Sequence, residues 1–261
     1  MDPVIEAAGP SLRSAGAMHA EAREMLLARG WLVLRVFLWG GLYGLPALLA
    51  LVGLVLGAPL LGEGAMESAA FLALAVVVVV LIAVTWFFYV YAAAQAGAFR
   101  ALAGPAEGND ARAWFRSGTP YAIPLLWLGG LVGLGLLVGF ALLIVPGVVL
   151  MVWWSVAGYV LVLEGVHGVA ALRRSKWLVH GRTGAVFWRL LTLFFVTMLL
   201  SAPSMILEGI TEGGGSALTI AFGVVLQVAT NCLTTVYSVI FLYVLYRELY
   251  DGPRAADARD P

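Results

Sequence analysis

The chain has 261 residues, of which 62% are hydrophobic and 11% charged, and its formal net charge is zero. Soluble domains carry about 25% charged residues, so this composition excludes a water-soluble globule and makes the bilayer the solvent. A zero net charge gives no basic field for nucleic acid, and the single Cys232 excludes an internal disulfide.

Residues 1–30 read as a cytoplasmic tail and an amphipathic segment, Ala20 to Arg29 being a good helix former. No apolar core precedes Trp31, so the pattern is not that of a cleaved signal peptide. The first span is expected at 33–56, with Gly40-x-x-x-Gly44 and Gly53-x-x-x-Gly57 at the spacing that lets helix backbones approach. Pro46 is a candidate kink.

A short loop with Glu63 and Glu67 leads to a second span at 69–91, whose valine run Val76–Val80 would suggest a strand in water. A bilayer about 30 Å thick requires roughly twenty apolar helical residues, and this segment supplies them. Trp86, Tyr89 and Tyr91 mark its headgroup end. Glu107 to Pro120 reads as a short surface helix, started by Asn109 or Asp110 and ended by Gly118 and Pro120.

From Tyr121 to Leu163 the chain is apolar throughout. One straight helix of that length would reach about 65 Å, twice the hydrocarbon thickness. Two spans are therefore expected, 123–144 and 148–163, with the turn at Pro146-Gly147. The first of them carries Gly129-x-x-x-Gly133 and Gly135-x-x-x-Gly139.

Glu164 and Gly165 end the fourth span, and a basic segment, His167 to Arg182, follows. On a helical wheel Arg173, Lys176 and His180 share one face, while Ala171, Leu172, Leu178 and Val179 share the other with Ser175. That is the pattern of an interfacial amphipathic helix. The fifth span is expected at 185–207, with Arg189 one turn in and placed to snorkel to the headgroups. A Gly-rich loop, Glu208 to Ser216, precedes the sixth span at 217–243, and a polar tail runs over 251–261.

The charges set the orientation. Arg13, Arg23, Arg29 and Arg35 precede or open the first span, and Arg100, Arg112 and Arg116 lie between the second and third. Arg173, Arg174, Lys176, Arg182 and Arg189 lie between the fourth and fifth or just inside the latter; Arg247, Arg254 and Arg259 follow the sixth. The other loops have none. Six spans with both termini cytoplasmic place every basic residue on the cytoplasmic side. The expected fold class is an all-α integral membrane protein: six transmembrane helices, with short amphipathic cytoplasmic helices between the hairpins.

Three groups of residues are candidates for function. Glu164 can pair with Arg173 or Arg174 and fix how the basic helix folds back; its place near the interface argues against an ion-coupling role. Arg173, Arg174 and Lys176 suit anionic phospholipid headgroups, and equally suit plain orientation anchoring. Gln227, Asn231, Thr234 and Ser238 form one polar stripe of the sixth span, suited to helix packing or to a polar path. No charged residue lies near the middle of a span, which argues against a charge-coupled transporter. There is no HExxH, GxSxG or P-loop, and no cofactor or metal site is expected.

The stretch Leu142 to Arg182 resembles the membrane domain associated with bacterial glycerophosphoryl diester phosphodiesterases and related six-span proteins. The resemblance rests on Pro146-Gly147, on Leu163-Glu164-Gly165, on Arg174-Ser175 with Leu178 and Gly181, and on Tyr246-Arg247-Glu248-Leu249 after the last span. It implies a multi-pass protein of the bacterial inner membrane. Six spans leave no stretch for the catalytic barrel of some 250 residues found in fused members, so phosphodiesterase activity is not expected. The expected role is a non-enzymatic scaffold or accessory factor on the anionic leaflet; the alternative is a small-molecule or lipid transporter. The scaffold reading expects Gln227 and Asn231 packed and inaccessible, and the transporter reading expects a water-accessible cavity beside them. A protein partner and an oligomeric state are not legible.

Overall fold

A computed structural model of the chain describes residues 12–57, 69–105, 110–211 and 216–257. All regular structure in them is helical: α1 (Ala15–Gly57), α2 (Ala69–Ala103), α3 (Ala111–Leu142), α4 (Ile144–Trp154), α5 (Ala157–Glu164), α6 (Val169–Val179), α7 (Thr183–Thr211) and α8 (Ala217–Asp257). Six segments are long and apolar enough to cross a membrane, α4 and α5 together forming the fourth. The chain is an all-α, multi-pass membrane protein. Glu63, Glu67, Glu107, Asn109 and Arg259, named above, lie outside the described residues.

Several boundaries differ from the sequence expectation, each for a local reason. The segment Ala20 to Arg29 is not a separate surface helix but the first part of α1. The surface helix before the third span is likewise continuous with it, α3 running through Gly118, Pro120 and Pro124. A proline removes the amide that would bond the carbonyl four residues back. Here Thr119 Oγ1 donates to that carbonyl, Arg116, at 2.8 Å, and the helix continues. Asp110 does start it, accepting from the Arg112 and Ala113 amides at 3.0 and 3.3 Å. The second span extends past Tyr91 to Ala103, and α7 runs on through Thr211, past Glu208 where a loop was expected.

The turn expected at Pro146-Gly147 falls earlier, at Leu143, whose backbone is extended (φ −166°, ψ 153°). Pro146 then sits in the first turn of α4, where its missing amide has no partner to lose. Gly147 is required by packing: a Cβ there would lie 2.5 Å from the Phe140 ring. A break at Ser155 and Val156 separates α4 from α5.

The described residues divide into two compact units, one over 35–127 and one over 12–34 with 128–257. In the first, α2 meets the start of α3 through glycine. A Cβ at Gly97 would fall 2.6 Å from the Trp114 carbonyl oxygen, and one at Gly118 would collide with the backbone at Ala93 and Gly97. A Cβ at Gly40 would lie 3.0 Å from the Ala94 side chain. Phe115, buried beneath these contacts, stacks on Tyr43 with centroids 5.1 Å apart. In the second unit the core is the later half of α8. Ile240, Phe241, Leu245 and Leu249 there are fully buried, with Val160 and Leu161 of α5 and Val179 of α6.

Candidate functional site

The basic helix α6 follows a sharp reversal. Gly165 ends α5 in the left-handed region (φ 71°), and Gly168 (φ 61°) turns the chain into α6. A residue with a Cβ is strained at both positions. Glu164, the last residue of α5, is held on both oxygens. Oε2 accepts from Arg174 Nε at 2.9 Å and Oε1 from the Tyr246 hydroxyl at 3.1 Å. One carboxylate thus ties α5, α6 and α8 together. Of the two arginines expected as its partner, Arg174 is the one used.

Ser175 supplies the second tie. It is fully buried, and its hydroxyl donates to the Trp153 carbonyl at 2.7 Å. That carbonyl lies just before the α4–α5 break, so Ser175 supplies a donor where the helical ladder is interrupted.

The apolar face of α6, Ala171, Leu172, Leu178 and Val179, is buried inside the protein against α4 and α5. The sequence pattern suggested that this face meets lipid; here neighbouring helices take it. Arg173, Lys176 and Trp177 remain exposed on the outer face. Lys176 Nζ lies 4.1 Å from the centre of the Trp153 ring, and the Arg174 guanidinium 4.6 Å from that of Trp177. The outer face is therefore a rigid cationic and aromatic surface: Arg173 and Lys176 turn outward, while Arg174 is partly neutralised by Glu164.

Compared with known proteins, the chain matches no family model, no curated protein and no solved structure. Of the residues named above for the resemblance, Glu164 and Gly165 form this reversal and Arg174 and Ser175 brace it, while Pro146-Gly147 lies at the start of α4 and Tyr246–Leu249 in α8. Gly181, just after the His180 that caps α6, turns the chain toward α7 with φ 78°.

Sequence reasoning missed a second polar cluster, where α1, α7 and α8 meet. His19 contacts the Tyr237 hydroxyl through Nδ1 and Thr192 Oγ1 through Nε2, the latter at 3.1 Å. Its ring lies 4.6 Å from that of Phe241. Arg189, expected to snorkel, is instead 6% exposed. It donates to the Ala185 carbonyl at 2.9 Å, to the Arg13 carbonyl, and to Met18 Sδ. Arg13 pairs with Glu21 at 2.6 Å, and Glu21 faces Arg247 at 3.6 Å. The only sequence signal was polar residues near three helix ends, and it carried no pairing information. Among the described residues no three His, Cys, Asp or Glu side chains converge as metal ligands would.

The polar stripe of α8 divides in two. Thr230 and Thr234 hydroxyls bond carbonyls of their own helix, Leu226 at 2.8 Å and Thr230 at 2.9 Å. Gln227, Thr234 and Ser238 are half-buried, and Asn231 is exposed. The packed Asn231 that the scaffold reading expects is not found within the single chain.

Proposed function

We propose that this protein is a non-enzymatic membrane scaffold or accessory factor that holds anionic phospholipid headgroups against the outer face of α6. The observation that carries the reading is the division of labour among the basic residues. Arg174 is committed to Glu164, while Arg173 and Lys176 are exposed beside Trp177 on a helix whose other face is locked into the protein. A cation on such a surface gains on the order of 1 kcal/mol from an anionic leaflet. The charge distribution supports a cytoplasmic location for this surface and for both termini. The resemblance over Leu142 to Arg182 supports a bacterial inner membrane.

A transporter would use a polar path. A cavity of about 260 Å³ is lined by Phe37, Gly40, Gly44, Phe87 and Tyr91 among others, and the polar stripe of α8 takes no part in it.

The test is electron paramagnetic resonance of spin-labelled phosphatidylglycerol and phosphatidylcholine with the reconstituted protein. The expected result is preferential immobilisation of phosphatidylglycerol, lost in the double variant Arg173→Gln/Lys176→Gln. Equal immobilisation of the two lipids by the unmodified protein overturns the proposal.

A further inference from the structure

Asn231 presents a physical problem that the single chain leaves unsolved. By helical rise it stands about 21 Å from Ala217 at one end of α8 and about 24 Å from Arg247 near the other, close to the middle of a bilayer. Its side chain is exposed, and among the described residues its amide has no hydrogen-bond partner. An amide in hydrocarbon without a partner is costly, and polar side chains at that depth face other helices.

The surrounding residues indicate which helix. Ile220, Val224, Gln227, Asn231, Thr234 and Ser238 follow one another at alternating steps of four and three, the 3.5-residue repeat of a left-handed helix pair. Ile220 and Val224 are 51% and 58% exposed, so the outer part of this seam is open. Val224 and Asn231 occupy equivalent positions one repeat apart. In parallel helix pairs a single Asn at such a position fixes register and orientation.

We infer that the occupant of this seam is α8 of a second copy of the chain. An amide carries both a donor and an acceptor, so it is its own complement. Two copies inserted in the same orientation bring Asn231 to the same depth, and a twofold axis along the membrane normal lets the two amides bond each other. The seam accounts for the exposed Asn231 and does not rest on headgroup binding by α6.

The experiment is oxidative cross-linking of the full-length protein in membranes, with Cys232→Ala as background. Asn231→Cys and Val224→Cys are expected to give disulfide-linked dimers. Leu233→Cys is the control: Leu233 has nearly the same depth, is 42% exposed, and lies on the other side of α8. It is expected to give none. In dilution-dependent single-molecule photobleaching, Asn231→Leu is expected to weaken dimerisation roughly five-fold, the effect of one interhelical hydrogen bond in a membrane. Equal cross-linking at 231 and 233, or a monomer at every dilution, overturns the inference. So does cross-linking to a different protein, or labelling of Asn231→Cys by a membrane-impermeant thiol reagent, which would mean a water-filled path.

Discussion

The unit over 35–127 and the unit over 12–34 with 128–257 hold their helices together by different balances of close contact and hydrogen bonding. The first uses proximity: Gly97 and Gly118 let two backbones touch, and Gly40 admits Ala94. The second uses polar ties: Glu164 to Arg174 and Tyr246, Ser175 to the Trp153 carbonyl, His19 to Thr192 and Tyr237. Lipid tails are as apolar as leucine, so burying leucine against leucine gains little between membrane helices. Close van der Waals contact and hydrogen bonding remain, and the two units weight them differently. The first adds the Trp86 and Arg100 bonds to the Tyr43 and Ser117 carbonyls to its glycine contacts, and the second adds the Gly139–Gly147 contact to its polar ties. The difference also bears on function. A polar tie can hold a short helix such as α6 at a fixed angle with its charges outward, which contact between long straight helices does not require.

The largest expected effect breaks the first mechanism. Gly118→Val places side-chain atoms against the backbone of α2, which cannot yield as a side chain can, and is expected to cost about 3 kcal/mol or more. Unfolding of the reconstituted protein, followed by steric trapping, measures it. Gly129→Ala is the control, because an added Cβ there meets nothing within 4 Å. It should leave stability unchanged or slightly raised.

The second mechanism is tested next. Glu164→Ala leaves Arg174 and the Tyr246 hydroxyl without their acceptor. Because the Arg174 side chain is 34% exposed, solvent screens part of the loss. The expected cost is about 1–2 kcal/mol, below the value for a fully buried pair. Protease sensitivity of the Glu164–Gly168 reversal should rise in parallel, and Glu164→Gln, which retains an acceptor for Tyr246, should recover part of the difference. Ser175→Ala leaves the Trp153 carbonyl without that donor and is expected to cost about 1 kcal/mol. Hydrogen exchange should then quicken at the α4–α5 break while α2 is unaffected, a local response that would distinguish polar ties from general loosening.

The smallest effect sharpens the boundary between the two. Thr119→Val removes the donor that satisfies the Arg116 carbonyl before Pro120, at a half-buried site between exposed Arg116 and Pro120. About 0.5 kcal/mol is expected, read as fraying of residues 111–119 by hydrogen exchange. A loss comparable with that of Gly118→Val would mean that helix continuity, rather than glycine contact, holds the unit together.

The glycines show where local reading succeeded and where it failed. Among the Gly-x-x-x-Gly pairs, Gly40, Gly135 and Gly139 make close contacts, whereas Gly44, Gly129 and Gly133 meet nothing within 4 Å. The tightest approach, Gly118 against the backbone of Ala93 and Gly97, joins two different helices and has no such spacing. Its trace in the sequence was the run of small residues Ala92 to Ala98.

The sequence by itself determined the solvent, the number of spans and the partner class of Glu164. These follow from apolar length, from the grouping of arginines and from the valence of one carboxylate beside a basic helix, all properties of neighbouring residues. Tertiary structure alone decided that Arg174 rather than Arg173 closes the pair, that α6 buries its apolar face in protein, and that Arg189 turns inward. It also decided that Asn231 is left exposed. Each of these depends on which helices lie side by side, and hydropathy cannot encode that choice because every apolar helix offers nearly the same surface to its neighbours.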